Sequence, residues 1–348
     1  DGMKVLDAGV WRPVPHATQL LADLGAEVLK IEPPGGDPMR TFPLLFRDIA
    51  GHKRSIELDL RSDAGRARAL ELARDADVFT EGWRPGVAAR LGLSCDDVRA
   101  QNPSIIYCSI SGYGQGGPLV NWPGHDISYQ AFAGALAPRH ADDAPAIPRL
   151  PVADLGAGTV AALCICAAWA HKLRTGEGEH IDVSMTDVVA TWSGPRSGNA
   201  VRGRTAPTRG SAGYGAFACA DGRYLTLSVI SEDHFWQAVC DGLSIAALRN
   251  LSHGERLDRF EECQDAVAAA CATLERDDAV DRLARAGAPV APVLTPEEMA
   301  AHPQFRGRGI VVDADDGSAR LGFPAVLRDR PARPPGPIPE INAHPDGW

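Results

Sequence analysis

Residues 3–34 read MKVLDAGVWRPVPHATQLLADLGAEVLKIEPP, and this stretch decides the fold. MKVLDAG is strand-like and leads through VWRPVPH into a helix, ATQLLADLGA, with Gly25 placed to end it. EVLKIEPP is a second strand, stopped by Pro33 and Pro34, which have no N–H to give to a ladder. Strand, helix, strand is the unit of a parallel sheet, because parallel neighbours need a crossover between them. The pattern then repeats: strand SIELDL, helix SDAGRARALELARDA, strand DVFTEG and, further on, strand SIIYCSISG. The expected fold class is therefore α/β, a doubly wound parallel sheet that binds ligands at the carboxyl ends of its strands.

After the last of these strands, Gly112, Gly114 and Gly117 of GYGQGG formally satisfy the dinucleotide-binding spacing. Pro118 and then NWPG stand where the phosphate-binding helix should open, so a nicotinamide or flavin site is not expected, and the glycines read as a loop that lets backbone approach a ligand or another chain. From Asp154 a long helix, DLGAGTVAALCICAAWAHKLRTGEG, has basic residues in its last turn and Gly176 as its stop. Its apolar run from Leu155 to Ala170 is shorter than the ~18 to 20 residues of a membrane span, and it is read as a buried core helix. Strand EHIDVSM follows. Residues 191–213 are rich in Gly, Pro, Ser and Arg and read as a connector. Beyond it YGAFACADGRYLTLSVI reads as a hairpin turning at Asp221-Gly222.

The net charge of −10 argues against a nucleic-acid or anionic-membrane surface, since phosphate needs a basic face. The eight cysteines form no C-x-x-C pair, no metal-ligand spacing appears, and a chain of 348 residues needs no disulfides. With no signal peptide at its start, a reducing cytoplasm is the expected compartment.

PGHDISYQAF, residues 123–132, puts His125 beside Asp126 after a Pro-Gly turn. Asp126 reads as a helix cap and His125 as a loop residue, and the helix start supplies N–H donors of the kind that hold an oxyanion. Asp154 reads equally as a cap, and Glu232 of SEDHFW as a helix-start residue.

Together, LLADLGAEVLKIEPPGGDPMR, ADVFTEGWRPGVAARLGL, SGYGQGGP, GEGEHIDVSMTDVV and APVAPVLTPEEMAAHPQFRGRG, in this order, resemble the family III CoA-transferases, which include transferases and α-methylacyl-CoA racemases. The resemblance implies a Rossmann-like large domain over 1–190, the connector over 191–213, a smaller α+β domain over 214–305, a C-terminal segment over 306–348 returning to the large domain, and a homodimer of interlocked rings. GHD followed by an aromatic residue resembles the racemase branch. On that reading His125 and Asp154 are the two acid/base groups, Glu232 orients His125, and the helix start at Asp126 holds the enolate oxygen. No metal and no cofactor beyond the CoA of the substrate is implied.

For CoA, the resemblance points to Leu58 and Leu60 beside the adenine, Arg84 and Arg90 near the phosphates, and Trp11, Arg12 and Tyr129 along the chain of the ligand. Where racemases often carry Arg after I-[DE], this sequence has Pro33, so Arg40 or Arg54 is expected to substitute. The competing readings are a CoA-transferase using Asp154 as nucleophile and a non-catalytic CoA-binding subunit.

Overall fold

A computed structural model describes residues 2–137, 144–193, 210–313 and 317–348. Its first strand β1 (Lys4–Asp7), helix α1 (Pro13–Asp23) and strand β2 (Glu27–Glu32) make the expected parallel unit. The helix starts at Pro13, earlier than ATQLL, because proline is pre-set for the first turn, where its missing N–H costs nothing. Gly25 follows the helix at φ +105°, a conformation that favours glycine.

The chain continues through α2 (Pro43–Ala50), β3 (Lys53–Glu57), α3 (Asp63–Arg74), β4 (Val78–Glu81), α4 (Val87–Leu91), α5 (Cys95–Gln101) and β5 (Ile106–Ser111). Next come α6 (Asp126–Phe132), α7 (Val152–Thr175), β6 (His180–Ser184) and α8 (Met185–Trp192). The six strands form one sheet in the order β3-β2-β1-β4-β5-β6, with every pair parallel. This is the doubly wound order of a Rossmann-like sheet, whose crevice opens where the winding reverses, between β1 and β4.

Both faces are covered. Val14, Ala17 and Leu21 of α1 pack with Ala157, Ala161 and Ile165 of α7 on one side, and Ala69 and Leu72 of α3 with Val98 of α5 on the other. Helix α7 runs eight residues beyond the 16-residue apolar stretch seen in the sequence, and by length and composition it could cross a membrane. In this fold one of its faces is core, while Leu163 and Leu173 are exposed.

Two buried lysines tie the ends of the first strands together. Lys53 Nζ contacts Asp7 Oδ2 at 3.1 Å and donates to Thr18 Oγ1 and the Pro15 carbonyl, while Lys30 Nζ contacts Asp37 Oδ2 at 2.8 Å and donates to the Gly9 carbonyl. Buried charges persist only when paired and hydrogen-bonded, and here the partners belong to the β1–α1 loop and its surroundings. That loop is thereby fixed from below, with Trp11 held at φ +64°.

The chain divides into two compact units, Asp1–Gly203 with Pro303–Trp348, and Arg204–His302. Most of the expected connector, residues 194–209, lies outside the described residues. The final segment makes no helix or strand beyond Leu321 because its backbone bonds go to the large unit: Arg333 N donates to Asp23 O and His344 N to Ser55 O. In the second unit, β7 (Tyr214–Ala218), β8 (Tyr224–Ser228) and β9 (Val290–Pro292) form an antiparallel sheet, with Gly222 at φ +74° in the hairpin turn. Helix α9 (Asp233–Leu243) places Trp236 and Val239 in that unit's own core.

Candidate active site

The crevice between the carboxyl ends of β1, β4 and β5 holds a cleft of about 320 Å³, and His125 and Asp154 both line it. Each arrives from a helix start. His125 occupies the position before α6 with extended backbone, and its N–H lies 3.4 Å from Ser128 Oγ. Asp154 sits in the first turn of α7, where the helix dipole favours a negative charge.

Asp126 does not cap its own helix, as the sequence suggested; it is the first residue of α6, and its carboxylate reaches across to α7. Asp126 Oδ1 accepts the N–H of Ala153 at 2.8 Å and that of Asp154 at 3.0 Å, and Oδ2 accepts from Gln130 Nε2. Pro151, at the cap position of α7, has no side-chain acceptor, so Asp126 supplies the missing cap from another element. Burial pushes the Asp154 carboxyl up to about 7, and the nearby charge of Asp126 adds to the effect, opposed by Arg12. A carboxyl poised there can both give and take a proton near neutrality.

Tyr129 is wedged behind these groups. Its hydroxyl donates to the Gly124 carbonyl at 2.6 Å, and a Cβ at Gly112 would lie 2.4 Å from its ring. Glycine is therefore required at 112 by close approach to an aromatic ring, a role compatible with the loop reading of GYGQGG. Ser111, at the end of β5, lines the cleft with a buried hydroxyl that has no hydrogen-bond partner among the described residues.

A second cleft of about 530 Å³ adjoins the first, shares Val10 and Trp83 with it, and includes Leu58 and Leu60 at the end of β3. Trp11, Arg84 and Tyr129 line the first cleft. Arg12 stands at the start of α1, close enough for its charge to act on both Asp154 and His16.

The other expected arginines are not brought into either cleft. Arg40 has its guanidinium fork on Glu32, with Nε and Nη2 each 2.6 Å from a carboxylate oxygen, and a further bond to the Pro339 carbonyl. That pairing occupies the guanidinium of the residue expected to stand in as a phosphate contact. Arg54 pairs with Leu29 in the sheet, and Arg90 is exposed in the last turn of α4. Arg61 lines the larger cleft instead. It was passed over because it reads as a surface residue ahead of α3; its place two residues beyond Asp59, at a strand's carboxyl end, was the available signal.

Glu232 belongs to the second unit, where its carboxylate accepts the N–H groups of Ile230 and Ser231 at 3.1 and 3.0 Å. Among the described residues, no group of three or more His, Cys, Asp or Glu is placed to hold a metal ion.

A doubly wound sheet with His125 and Asp154 lining a cleft at its switch point, beside a second cleft, has the architecture of a site for an extended small molecule. The chain belongs to CoA-transferase family III, whose profile matches residues 1–345. It is 31% identical to the succinate–glutarate CoA-transferase of Agrobacterium fabrum, over 99% of this chain and 93% of that one. It is 32% identical to the acetyl-CoA:oxalate CoA-transferase of Acetobacter aceti, over 97% and 91%, and 29% identical to the human alpha-methylacyl-CoA racemase, over 96% and 87%. A crystal structure of a CAIB/BAIF family protein from Brucella suis superposes with a TM-score of 0.89 at 28% identity, covering 99% of this chain and 97% of that one.

Proposed function

We propose that the chain is an acyl-CoA racemase that inverts the α-carbon of a 2-methyl-branched acyl-CoA thioester. The observation that carries this reading is that His125 and Asp154 line one cleft. Inversion needs one group to take the α-proton from one face, leaving an enolate, and a second group to return a proton to the other face. A transferase needs the carboxylate and has no use for the imidazole. The helix start at Asp126 is the proposed donor to the enolate oxygen, and Glu232 the proposed partner of His125. The CoA portion is proposed to run through the larger cleft past Leu58, Leu60 and Arg61. The working unit is proposed to be a homodimer that needs no metal, flavin or nicotinamide.

The second reading is a CoA-transferase carrying CoA on Asp154, favoured by the names of the Agrobacterium fabrum and Acetobacter aceti relatives. Incubating a single enantiomer of 2-methylbutanoyl-CoA with the protein in deuterated water separates the two. A racemase incorporates deuterium at the α-carbon and yields both enantiomers with no acceptor present. Loss of CoA to an added carboxylate, with no deuterium incorporated, would establish the transferase instead.

A further inference from the structure

Strand β3 is an edge of the six-stranded sheet, yet its outer row of backbone groups is not open. The N–H of Ser55 donates to Nδ1 of His344 at 3.2 Å and that of Glu57 to Oδ1 of Asn342 at 3.1 Å, while the Ser55 carbonyl accepts the N–H of His344 at 2.8 Å. Two side chains thus stand in for the backbone of a neighbouring strand. An edge left bare offers the same groups to any other chain. Asn342 reaches them at φ +56°, a left-handed backbone that asparagine adopts more readily than most residues.

The same segment also reaches the inside of the sheet. Asn342 N donates to Ser55 Oγ at 3.2 Å, Ser55 Oγ donates to Glu32 Oε1 at 2.6 Å, and both Ser55 and Glu32 are fully buried. Glu32 takes the fork of Arg40, whose Nη2 donates in turn to the Pro339 carbonyl at 3.0 Å. Two bonds lead from here to the turn after β2: the N–H of Asp37 donates to Glu32 Oε2 at 2.8 Å, and that of Gly35 to Glu57 Oε2 at 3.0 Å. Ile341 lies against that turn, so close that a Cβ on Gly36 would come within 2.8 Å of its Cδ1.

Both ends of this arrangement border the larger cleft. Pro33 and Pro34 line it just before the turn, and Leu58, Leu60 and Arg61 line it directly after β3. Leu58 leaves the sheet with its N–H on the Glu32 carbonyl at 2.9 Å. The two walls therefore start from residues that Asn342, His344 and Pro339 hold, although none of those three lines the cleft.

We infer that Asn342 and His344 are positioning residues for the ligand of the larger cleft, acting through Ser55 and Glu57 on the turn at 35–37 and the segment at 58–61. The acyl-CoA reading above supplies the identity of that ligand. A hydrogen bond of this kind contributes about two- to tenfold to an equilibrium. Deleting one loosens a wall that holds the ligand in ground state and transition state alike, so affinity falls and the chemistry at Asp154 is untouched.

The test separates positioning from stability. Asn342→Gly deletes the acceptor and keeps the left-handed backbone free of strain, and Asn342→Asp restores an acceptor. His344→Ala and His344→Asn do the same for the second bond. Dissociation constants for coenzyme A are measured calorimetrically, and hydrogen exchange of the unliganded protein is followed by mass spectrometry over residues 35–37 and 58–61. Asn342→Gly and His344→Ala are expected to bind coenzyme A about threefold or more weakly and to exchange faster in both segments, and the two conservative variants to return both readings to near the native values. Native affinity in Asn342→Gly and His344→Ala, or unchanged exchange in the two segments, overturns the inference; a lower thermal midpoint with either result makes the segment structural only. Weaker binding that Asn342→Asp and His344→Asn both fail to restore overturns it as well. If the native protein binds no coenzyme A, the acyl-CoA reading fails, and the exchange data alone decide the positioning: faster exchange in both segments sustains it and unchanged exchange sinks it.

Discussion

One oxygen of Asp126 holds the start of the helix that carries Asp154: Oδ1 accepts the backbone N–H groups of Ala153 and Asp154 at 2.8 and 3.0 Å. Burial raises the Asp154 pKa to about 7 and the same Asp126 carboxylate adds to the rise, so one group positions the candidate acid and also opposes its ionisation. Asp126→Ala removes the cap, and loss of a capping acceptor costs about 1 kcal/mol. Asp126→Asn keeps an acceptor and removes the charge. With the like charge gone, ionisation of Asp154 becomes easier and its pKa falls. A pH–rate profile of Asp126→Asn is therefore expected to show the Asp154 limb at lower pH than in the native enzyme, and Asp126→Ala to show the greater loss of thermal stability. A limb that does not move in Asp126→Asn would remove Asp126 from the electrostatics of the site.

The two candidate bases should differ by the hand of the substrate. His125→Ala and Asp154→Ala are each expected to lower racemisation by about 10² to 10⁴, the usual effect of deleting a positioned acid or base. If each serves one face, a single variant still exchanges the α-hydrogen of one enantiomer while failing to invert it, provided water returns the proton. Glu232→Gln is expected to be milder than His125→Ala, since it perturbs an imidazole without removing it. Deuterium content of each enantiomer, measured by chiral separation and mass spectrometry, checks this. A fully active His125→Ala with a trapped adduct on Asp154 would establish the transferase.

The parallel sheet was legible because βαβ units announce themselves locally: an apolar strand, a helix with a glycine after it, and prolines that stop the next strand. His125, Asp154, Trp11, Arg84 and Tyr129 were named as candidates through the resemblance to the family, and all five line the cleft. The pairing of Asp126 with α7 was not legible, since it joins residues 27 positions apart through a helix end whose own cap position is proline. Nor were Lys30 and Lys53, which sit in strands and read as surface charge until Asp7 and Asp37 are found beside them. Arg40, expected from the resemblance to stand in for the arginine that Pro33 replaces, has its fork on Glu32, a partner that the sheet brings to it and the sequence does not show.

Glu81 gives the stability of the fold a pH dependence that one substitution isolates. It ends β4 with its carboxyl almost fully buried, accepting the Trp83 N–H at 2.8 Å, and burial, with the charge of Asp182, pushes its pKa up to about 7 from an ordinary 4.5. Because the folded pKa is the higher one, the folded chain holds more protons between those values. Stability is therefore full below about pH 4.5 and declines as pH rises to about 7. Glu81→Gln keeps the acceptor for Trp83 and removes the titration. The difference in unfolding free energy between variant and native protein is expected to grow in favour of the variant across that window, reaching on the order of 2 kcal/mol at pH 7. Denaturant titrations at a series of pH values read it, and parallel curves for the two proteins would place the Glu81 proton elsewhere.

The packing of α1 on α7 sets where Trp11 and Arg12 stand relative to Asp154, and it turns on one glycine. A Cβ at Gly158 would lie 2.7 Å from the Pro13 carbonyl oxygen and 2.8 Å from Cδ2 of His16. The histidine could rotate. The carbonyl could not, since it is backbone in the first turn of α1, and so the helices would have to part. Overpacking of this kind costs typically about 1 to 3 kcal/mol. Gly158→Ala is therefore expected to lower the unfolding midpoint and also to weaken catalysis, because moving α1 carries with it Trp11, which lines the cleft, and Arg12, whose charge acts on Asp154. Gly116→Ala is the matched control, as a Cβ there meets nothing within 4 Å and its φ is not in the left-handed region. Comparing thermal midpoint and turnover for the two variants checks the argument: Gly158→Ala should fall in both and Gly116→Ala should hold its midpoint. If Gly158→Ala lost stability while retaining native turnover, the α1–α7 contact would be structural only, and the placement of Trp11 and Arg12 would be set by the buried Lys30 and Lys53 pairs alone.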